Sequence, residues 1–142
     1  MKYSFKKAPE PLYSFLIYIE SIQGKSNQTA NEYYYDLKTF YKFLKIHYKL
    51  VSSTVDFKEI DFSDLTLDTL KLVDLNVIYT YINFLTRERR NSPASRARKI
   101  ASLRSFYKYL CNKAHLIETN PTVDLDTVKI GKRLPRYLTL ED

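Results

Sequence analysis

Residues 92–112, with the sequence SPASRARKIASLRSFYKYLCN, carry the clearest helical pattern in the chain. Ser92 is a favourable N-cap, and Pro93 suits the first position of a helix, where its missing N–H loses no hydrogen bond. Beyond this start, apolar side chains recur at steps of three and four residues, at Ile100, Leu103, Tyr107 and Leu110. This spacing predicts an amphipathic α-helix with one face buried in a core.

The opposite face of this predicted helix is polar and basic. It presents Ser95, Arg98, Lys99, Ser102 and Ser105, with Arg104 and Lys108 on its flank. Guanidinium, ammonium and hydroxyl groups are the donors that bind phosphate oxygens and base edges. A face that is simply solvated is the other interpretation. On this exposed face, alanine substitution of Arg98 and Lys99 together is expected to change the free energy of unfolding by no more than about 0.5 kcal/mol.

Positive charge is concentrated on this helix and the loop before it. Residues 87–113 contain nine basic residues and one acidic residue, whereas residues 52–86 contain two basic and six acidic residues. The whole chain carries a formal net charge of +7. Segregated basic charge is the electrostatic footprint of a polyanion partner, so the distribution favours a nucleic acid. Such a partner would repel the acidic segment, which is expected to face away from it.

Length and composition restrict the class of protein. A chain of 142 residues corresponds to one domain, and its single cysteine, Cys111, excludes an internal disulfide and indicates a reducing, cytoplasmic setting. No apolar run has the length of a membrane span, and no signal peptide is expected. No glycine-rich phosphate loop, zinc-ligand spacing or catalytic triad occurs, so no cofactor or metal is expected. Aspartates 61, 64 and 68 are interpreted as a solvated acidic surface.

Apolar spacing and capping residues predict the other helices. They are predicted over residues 11–23, 26–47 and 75–87, with a short helix over 64–70. Residues 121–128 are predicted to form one more short helix, and residues 129–142 to form a basic interdomain linker. The chain is therefore predicted to be all-α, with one helical domain over residues 1–128 and a linker over residues 129–142.

Three consecutive tyrosines, Tyr33 to Tyr35, lie in the second predicted helix. Successive residues of an α-helix point about 100° apart, so three in a row cannot share one buried face. At least one hydroxyl is therefore expected to reach solvent or a ligand. The amino end of the same helix carries free N–H groups and a positive partial charge, so Ser26, Gln28 and Thr29 could line a phosphate site. Ordinary capping explains Ser26 equally well.

Four stretches of the chain resemble a known family. They are SNQTANEYYYDLKTFYKFL at residues 26–44, SRARKIASLRSFYKYL at residues 95–110, the NP pair at 120–121 and RLPRYLTLED at 133–142. In this order and spacing they resemble the N-terminal core-binding domain of tyrosine recombinases, a family that includes Xer-type recombinases and the integrases of phages and conjugative transposons. The resemblance covers residues 12–142, apart from a longer acidic connection near residues 51–70.

The resemblance implies a SAM-like fold, an orthogonal bundle of four main helices with additional short helices. It also implies that the domain binds duplex DNA at a recombination site, and that other recombinase subunits join it in a synaptic complex. The helix over 92–112 would enter or straddle the major groove, the amino end of the helix over 26–47 would hold the DNA backbone, and the linker would wrap the duplex. The implied DNA-binding residues are Ser26, Gln28, Thr29, Ser95, Arg96, Arg98, Lys99, Ser102, Arg104, Lys108, Lys132 and Arg133.

The resemblance also bears on catalysis. In the family, the catalytic arginines, lysine, histidines and tyrosine follow a boundary that is similar to LPRYLT at residues 134–139. Neither His47 nor His115 begins a His-x-x-Arg motif. The catalytic series is therefore expected to be absent from this chain, which is not expected to be an enzyme by itself. The parent protein would be a recombinase that breaks and rejoins DNA.

Two other functions stay open from the sequence. A helical protein–protein interaction module would use the same basic face to bind an acidic partner. A helical RNA-binding domain would show the same segregation of charge. A requirement for a DNA duplex separates DNA binding from both.

Overall fold

The computed structural model describes residues 8–125, and this part of the chain forms α-helices and turns without a β-strand. The α-helices are α1 (Leu12–Ser21), α2 (Asn27–His47), α3 (Leu67–Leu72), α4 (Leu75–Arg87) and α5 (Pro93–Lys108). A 3₁₀ turn at Phe57–Glu59 and a π-helical turn at Tyr109–Lys113 complete the described elements. The predicted all-α class is confirmed. Within residues 8–125, no helix combines the length and the apolar character that crossing a membrane requires.

Three N-caps that the sequence indicates fix the starts of the three longest helices. Ser26, Asp74 and Ser92 have extended backbone angles, and each accepts a hydrogen bond from the backbone N–H three residues further on, at 3.0, 3.0 and 3.1 Å. Each cap stabilises its helix by about 1 kcal/mol, because it satisfies a donor that has no partner inside the helix. Pro93 occupies the first turn of α5, where no N–H is needed.

Left-handed backbone conformations follow several helices. Gly24 has a φ of 69° after α1, and Lys49, Arg90 and His115 have φ values of 58°, 53° and 54° after α2, α4 and the π-helical turn. Glycine adopts this conformation without steric cost. The three other residues carry a side chain there, which costs about 1 kcal/mol for each position.

Helix α2 forms the centre of the core. It contacts both α1 and α5, and α5 also contacts α4. Aromatic side chains fill much of this region, and the fully buried ones include Phe40, Tyr41, Tyr81, Phe106 and Tyr107. The rings of Phe40 and Tyr81 meet edge to face with centroids 5.0 Å apart, which joins α2 to α4. Close packing of this kind fixes the polar faces of α2 and α5 relative to each other.

Several predicted segments differ from the structure or lie outside it. The short helix predicted over residues 64–70 is α3, which begins at Leu67. Residues 121–124 form turns where a helix was predicted, because the Asn120 side chain accepts hydrogen bonds from the N–H and the hydroxyl of Thr122 at 2.9 and 2.7 Å. The rest of that helix, and the predicted linker with Lys132 and Arg133, lie outside the described residues.

Candidate nucleic-acid interface

An ion pair between a buried aspartate of α2 and an exposed arginine of α5 joins the two helices at the basic face. Asp36 of α2 is only 3% exposed, and its carboxylate accepts hydrogen bonds from Arg98 of α5. The Nε of Arg98 lies 3.2 Å from both carboxylate oxygens, and its Nη2 lies 2.8 Å from Oδ1. These hydrogen bonds raise the pKa of Arg98. The pair therefore fixes the direction in which the Arg98 guanidinium points.

Ser102 takes part in the same network. Its hydroxyl donates to Oδ2 of Asp36 at 2.7 Å, and the side chain is buried. The sequence pattern predicted that Ser102 lies on the exposed face of α5, and this prediction is wrong. The periodicity of α5 alone gives no sign of the carboxylate that α2 brings opposite. Ser102 holds Asp36 in place and does not present its hydroxyl to solvent.

Two clefts lie beside this ion pair, and the first reaches the amino end of α2. This cleft, called here the Thr29 cleft, has a volume of about 180 Å³ and is lined by Thr29, Glu32, Tyr33, Asp36, Arg98, Ala101 and Ser102. Thr29 in the first turn of α2 is thus brought to Arg98. Ser26 accepts a hydrogen bond from the N–H of Thr29 at 3.0 Å, and Gln28 is an exposed neighbour. Two groups of predicted residues therefore meet at this cleft.

The second cleft, called here the basic cleft, shares Asp36 and Arg98 with the Thr29 cleft. It has a volume of about 270 Å³ and is lined by Tyr35, Asp36, Lys38, Thr39, Lys42, Phe57, Lys58, Arg89, Arg98 and Lys99. Six of these residues are basic and one is acidic. Tyr35 keeps 52% of its surface exposed, which confirms that the three tyrosines of α2 do not share a buried face.

Two lysines of the basic cleft are crowded by like charge. Lys42 is 6% exposed, and burial lowers its pKa, with the charges of Lys38 and Arg89 lowering it further. Burial also lowers the pKa of Lys99, whose Nζ donates to Ser95 Oγ at 3.1 Å. A cluster of cations at partly buried positions produces a strong local positive potential. Such a cleft has the electrostatics of an anion-binding site.

The 3₁₀ turn supplies an aromatic wall to the basic cleft. The guanidinium carbon of Arg89 lies 4.2 Å from the centroid of the Phe57 ring, and the Nζ of Lys42 lies 5.4 Å from it. Both distances are in the range of cation–π contacts. Phe57 belongs to the acidic segment that the sequence predicted to face away from a polyanion. At least this turn of the segment borders the basic face.

The remaining predicted residues lie around or away from the clefts. Arg96 donates from Nη1 to the carbonyl of Asn91 at 3.1 Å, near the start of α5. Arg104 donates from Nη2 to the carbonyl of Leu125 at 2.6 Å and lines neither cleft. Lys108 is exposed in the last turn of α5. The predicted set is therefore split, with its compact part in the first half of α5 and the first turn of α2.

Sequence reasoning did not identify Lys38, Thr39, Lys42 and Arg89 as site residues. The first three follow Tyr35 by three, four and seven residues, which is the spacing of one helical face, so a search for polar stripes on α2 would have found them. Arg89 reaches the cleft only because the loop before α5 folds against the 3₁₀ turn. No periodic pattern indicates that contact.

The acidic residues form ion pairs and turns in place of a metal centre. Across residues 8–125, no group of three or more histidine, cysteine, aspartate or glutamate side chains is arranged to hold a metal ion. Asp64 accepts a hydrogen bond from the Nζ of the buried Lys45 at 2.5 Å. Asp61 accepts hydrogen bonds from the N–H and the hydroxyl of Ser63, which lower the pKa of its carboxyl group.

The fold and the clefts define a small α-helical domain with a concentrated basic face, and sequence comparison gives its relatives. The chain is 48% identical over 136 residues to the tyrosine recombinase XerC of Caldanaerobacter subterraneus subsp. tengcongensis, covering 96% of this chain and 38% of the relative. It is 26% identical over 141 residues to XerC of Leptospira interrogans (99% of this chain, 39% of the relative). It is 29% identical over 131 residues to the tyrosine recombinase XerD of Halalkalibacterium halodurans (92% and 38%). The chain belongs to the Xer-like tyrosine recombinase family, as its motifs predicted.

The chain spans about two-fifths of the length of these relatives, between 38% and 39% for the three named here. No family model matches the sequence. No solved structure matches the chain either. The family assignment therefore depends on sequence similarity to these relatives.

Proposed function

We propose that this chain is the DNA-binding part of an Xer-like tyrosine recombinase, and that the face formed by α2 and α5 binds duplex DNA. The observation that carries the proposal is the basic cleft, where Lys38, Lys42, Arg89, Arg98 and Lys99 surround a single carboxylate. That carboxylate, on Asp36, is already paired, so the remaining positive charge is available to phosphates. The relatives named as tyrosine recombinases agree with a DNA partner.

Arg98 is suited to present a fixed donor to DNA. Its side chain is 56% exposed although its Nε and Nη2 bind Asp36. The third nitrogen, Nη1, makes no hydrogen bond to Asp36 and can donate to a phosphate oxygen or a base edge. A guanidinium held in one orientation loses less side-chain entropy on binding than a free one. Asp36 thereby acts as a positioning residue for the DNA contact.

The amino end of α2 adds a second contact point. Ser26 caps the helix, and the backbone N–H groups of the first turn carry the positive end of the helix dipole. Thr29 shares its cleft with Arg98, so one stretch of DNA backbone can contact both helices. In this arrangement Ser26, Gln28 and Thr29 hold phosphate, and Ser95, Arg96, Arg98 and Lys99 approach the groove from α5.

The same proposal assigns DNA binding and strand cleavage to different parts of the full-length protein. Residues 1–128 form the DNA-binding domain, and the basic residues 129–142, with Lys132 and Arg133, connect it to the part that cuts and rejoins strands. This chain binds DNA without cleaving it, because it contains no His-x-x-Arg motif. In the full-length protein, other recombinase subunits bind beside it on the recombination site.

A fluorescence anisotropy titration of the whole chain with a short DNA duplex tests the proposal. We expect micromolar binding that weakens with salt at a log–log slope of about −4 to −5, the value for four to six neutralised phosphates. An RNA duplex of the same sequence and an acidic polypeptide serve as competitors. At equal total charge, neither should displace the DNA. Binding that does not change with salt, or that favours either competitor, would contradict DNA binding. On suicide substrates, a covalent protein–DNA adduct would contradict the absence of catalysis.

A further inference from the structure

We propose that the basic cleft is a binding pocket for one phosphodiester group of the DNA backbone, formed by Lys42, Arg89 and Lys99 on a wall that Phe57 supplies. The inference rests on the proposed function for the source of the phosphate. A defined phosphate subsite is thereby added to the proposed DNA-binding face. The acidic connection near residues 51–70 also gains a role in recognition, because Phe57 lies within it.

Two buried lysines of α2 differ in whether they have a carboxylate partner. Lys42 and Lys45 lie on the same helix, and each is 6% exposed. Lys45 has a carboxylate partner, Asp64, at 2.5 Å. Lys42 has a single hydrogen bond among the described residues, to the backbone carbonyl of Lys58 at 3.3 Å. Buried ammonium groups are normally paired, and among the described residues Lys42 forms no ion pair with a carboxylate.

The charges around Lys42 are mainly positive. Of the charges that act on Lys42, those of Lys38 and Arg89 have the largest effects and lower its pKa, whereas Glu59 and Asp56 raise it by smaller amounts. Arg89 also acts on Lys99. The one acid in the lining, Asp36, is committed to Arg98 and Ser102. A bound anion relieves this repulsion, whereas an unliganded cleft retains it.

The side chains that line the basic cleft favour an oxyanion over a base. The Phe57 ring holds the Arg89 guanidinium at 4.2 Å, so its face is occupied by a cation and is not available for stacking on a base. The hydroxyl of Tyr35 adds a neutral donor to the ammonium and guanidinium groups, whereas the Thr39 hydroxyl already donates to the carbonyl of Tyr35 at 3.2 Å. A lining in which six cations accompany two aromatic residues, one of them already covered by Arg89, suits a tetrahedral oxyanion better than a nucleobase. A phosphodiester is the oxyanion that duplex DNA supplies.

A charge-removing variant with a matched control tests the pocket. Lys42→Met keeps the apolar stem and removes the ammonium, and Lys71→Met removes one exposed charge on α3. For Lys42→Met we expect about tenfold weaker duplex binding and a salt slope that is shallower by about one. For Lys71→Met we expect less than about a twofold change. Equal losses in the two variants would overturn the proposal.

Two further measurements keep the test decisive if Lys42→Met folds poorly. Phe57→Leu leaves the net charge unchanged and should weaken duplex binding about threefold, because Arg89 loses its cation–π contact. Inorganic phosphate should raise the melting temperature of the wild type more than that of Lys42→Met or Arg89→Gln. Unchanged affinity in Phe57→Leu, or equal stabilisation of all these proteins by phosphate, would overturn the pocket.

These readouts separate the pocket from the proposed function. If the wild type binds no duplex at low salt, the proposed function is contradicted. The melting temperatures with and without phosphate would still show whether the pocket binds phosphate. Equal duplex affinity of the wild type and Lys42→Met would contradict the proposed pocket and leave the proposed DNA binding intact.

Discussion

The guanidinium of Arg98 in α5 donates to both carboxylate oxygens of the buried Asp36 in α2, with a shortest distance of 2.8 Å. The two residues are 62 positions apart in the chain. The side chain that we propose to contact DNA therefore also neutralises a charge inside the fold. The proposed function therefore couples folding stability to DNA binding at this pair.

Arg98→Ala should destabilise the protein. Among the described residues, its loss leaves the buried Asp36 carboxylate with the Ser102 hydroxyl as its one side-chain partner. We expect a cost of about 1–3 kcal/mol, because the exposed guanidinium is partly screened by solvent. Lys108→Ala, in the exposed last turn of the same helix, should cost no more than about 0.5 kcal/mol. Urea unfolding measures both. Equal stabilities would mean that the ion pair contributes nothing, as the sequence pattern alone predicted for Arg98.

Two buried tyrosines should respond oppositely to removal of their hydroxyls. Tyr81 is fully buried, and its hydroxyl has no hydrogen-bond partner among the described residues, so Tyr81→Phe should be neutral or stabilising. Tyr107 donates to the carbonyl of Leu70 at 2.8 Å, so Tyr107→Phe should cost about 1 kcal/mol. Thermal unfolding of the two variants checks this order. A larger loss for Tyr81→Phe would show that its hydroxyl has a partner.

Stability should fall in alkaline solution, and burial of tyrosine explains the direction. Burial raises the pKa of Tyr81 and Tyr107 well above the ordinary value of 10.0. The stability from these groups is therefore complete below pH 10.0 and is lost as pH rises above it, because only the unfolded tyrosines ionise there. Each tyrosine costs about 1.4 kcal/mol for each pH unit beyond that point.

Lys42 acts in the opposite direction on the same pH scale. Its pKa is lowered from 10.5, so the unfolded state binds its proton more tightly and stability gained from this group rises with pH up to that value. Melting temperatures of the wild type and Tyr81→Phe across pH 10 separate the two effects. A wild-type melting temperature that does not fall above pH 10 would contradict the role of the tyrosines.

Lys49→Gly should stabilise the fold. Lys49 is exposed and has a φ of 58°, and glycine removes the steric cost of that conformation, a gain of about 0.5–1 kcal/mol. Lys71→Gly, inside α3, should cost about 1 kcal/mol, since φ is negative in a helix and glycine adds only entropy to the unfolded chain. Opposite shifts in melting temperature are expected. Shifts of the same sign would contradict the assignment of backbone strain to Lys49.

Local signals in the sequence were sufficient for much of the fold. Ser26, Asp74 and Ser92 are capping residues by type, and their helices start where the caps predict. The apolar spacing on α5 identified Ile100, Leu103 and other buried residues correctly, because burial of one helical face follows from periodicity. These features depend only on residues within one or two turns of each other.

The site depended on contacts that periodicity does not contain. Asp36 is buried because α5 brings Arg98 and Ser102 against it. No residue close to Asp36 in the sequence of α2 predicts this contact. The basic cleft joins α2, the 3₁₀ turn and the loop before α5. The 3₁₀ turn lies in an acidic segment, and the net charge of that segment gave no sign that Phe57 and Lys58 line a basic cleft.

The most direct test of DNA binding by the α2–α5 face compares two charge reversals of equal size. Lys99→Glu places a negative charge in the basic cleft, and Lys71→Glu places one on the exposed surface of α3. The measurement is the dissociation constant for one DNA duplex at one low salt concentration, with both variants confirmed as folded. We predict that Lys99→Glu weakens binding by at least about tenfold and Lys71→Glu by no more than about threefold, because solvent screens a distant charge. Equal weakening by the two substitutions would contradict the assignment of DNA binding to this face.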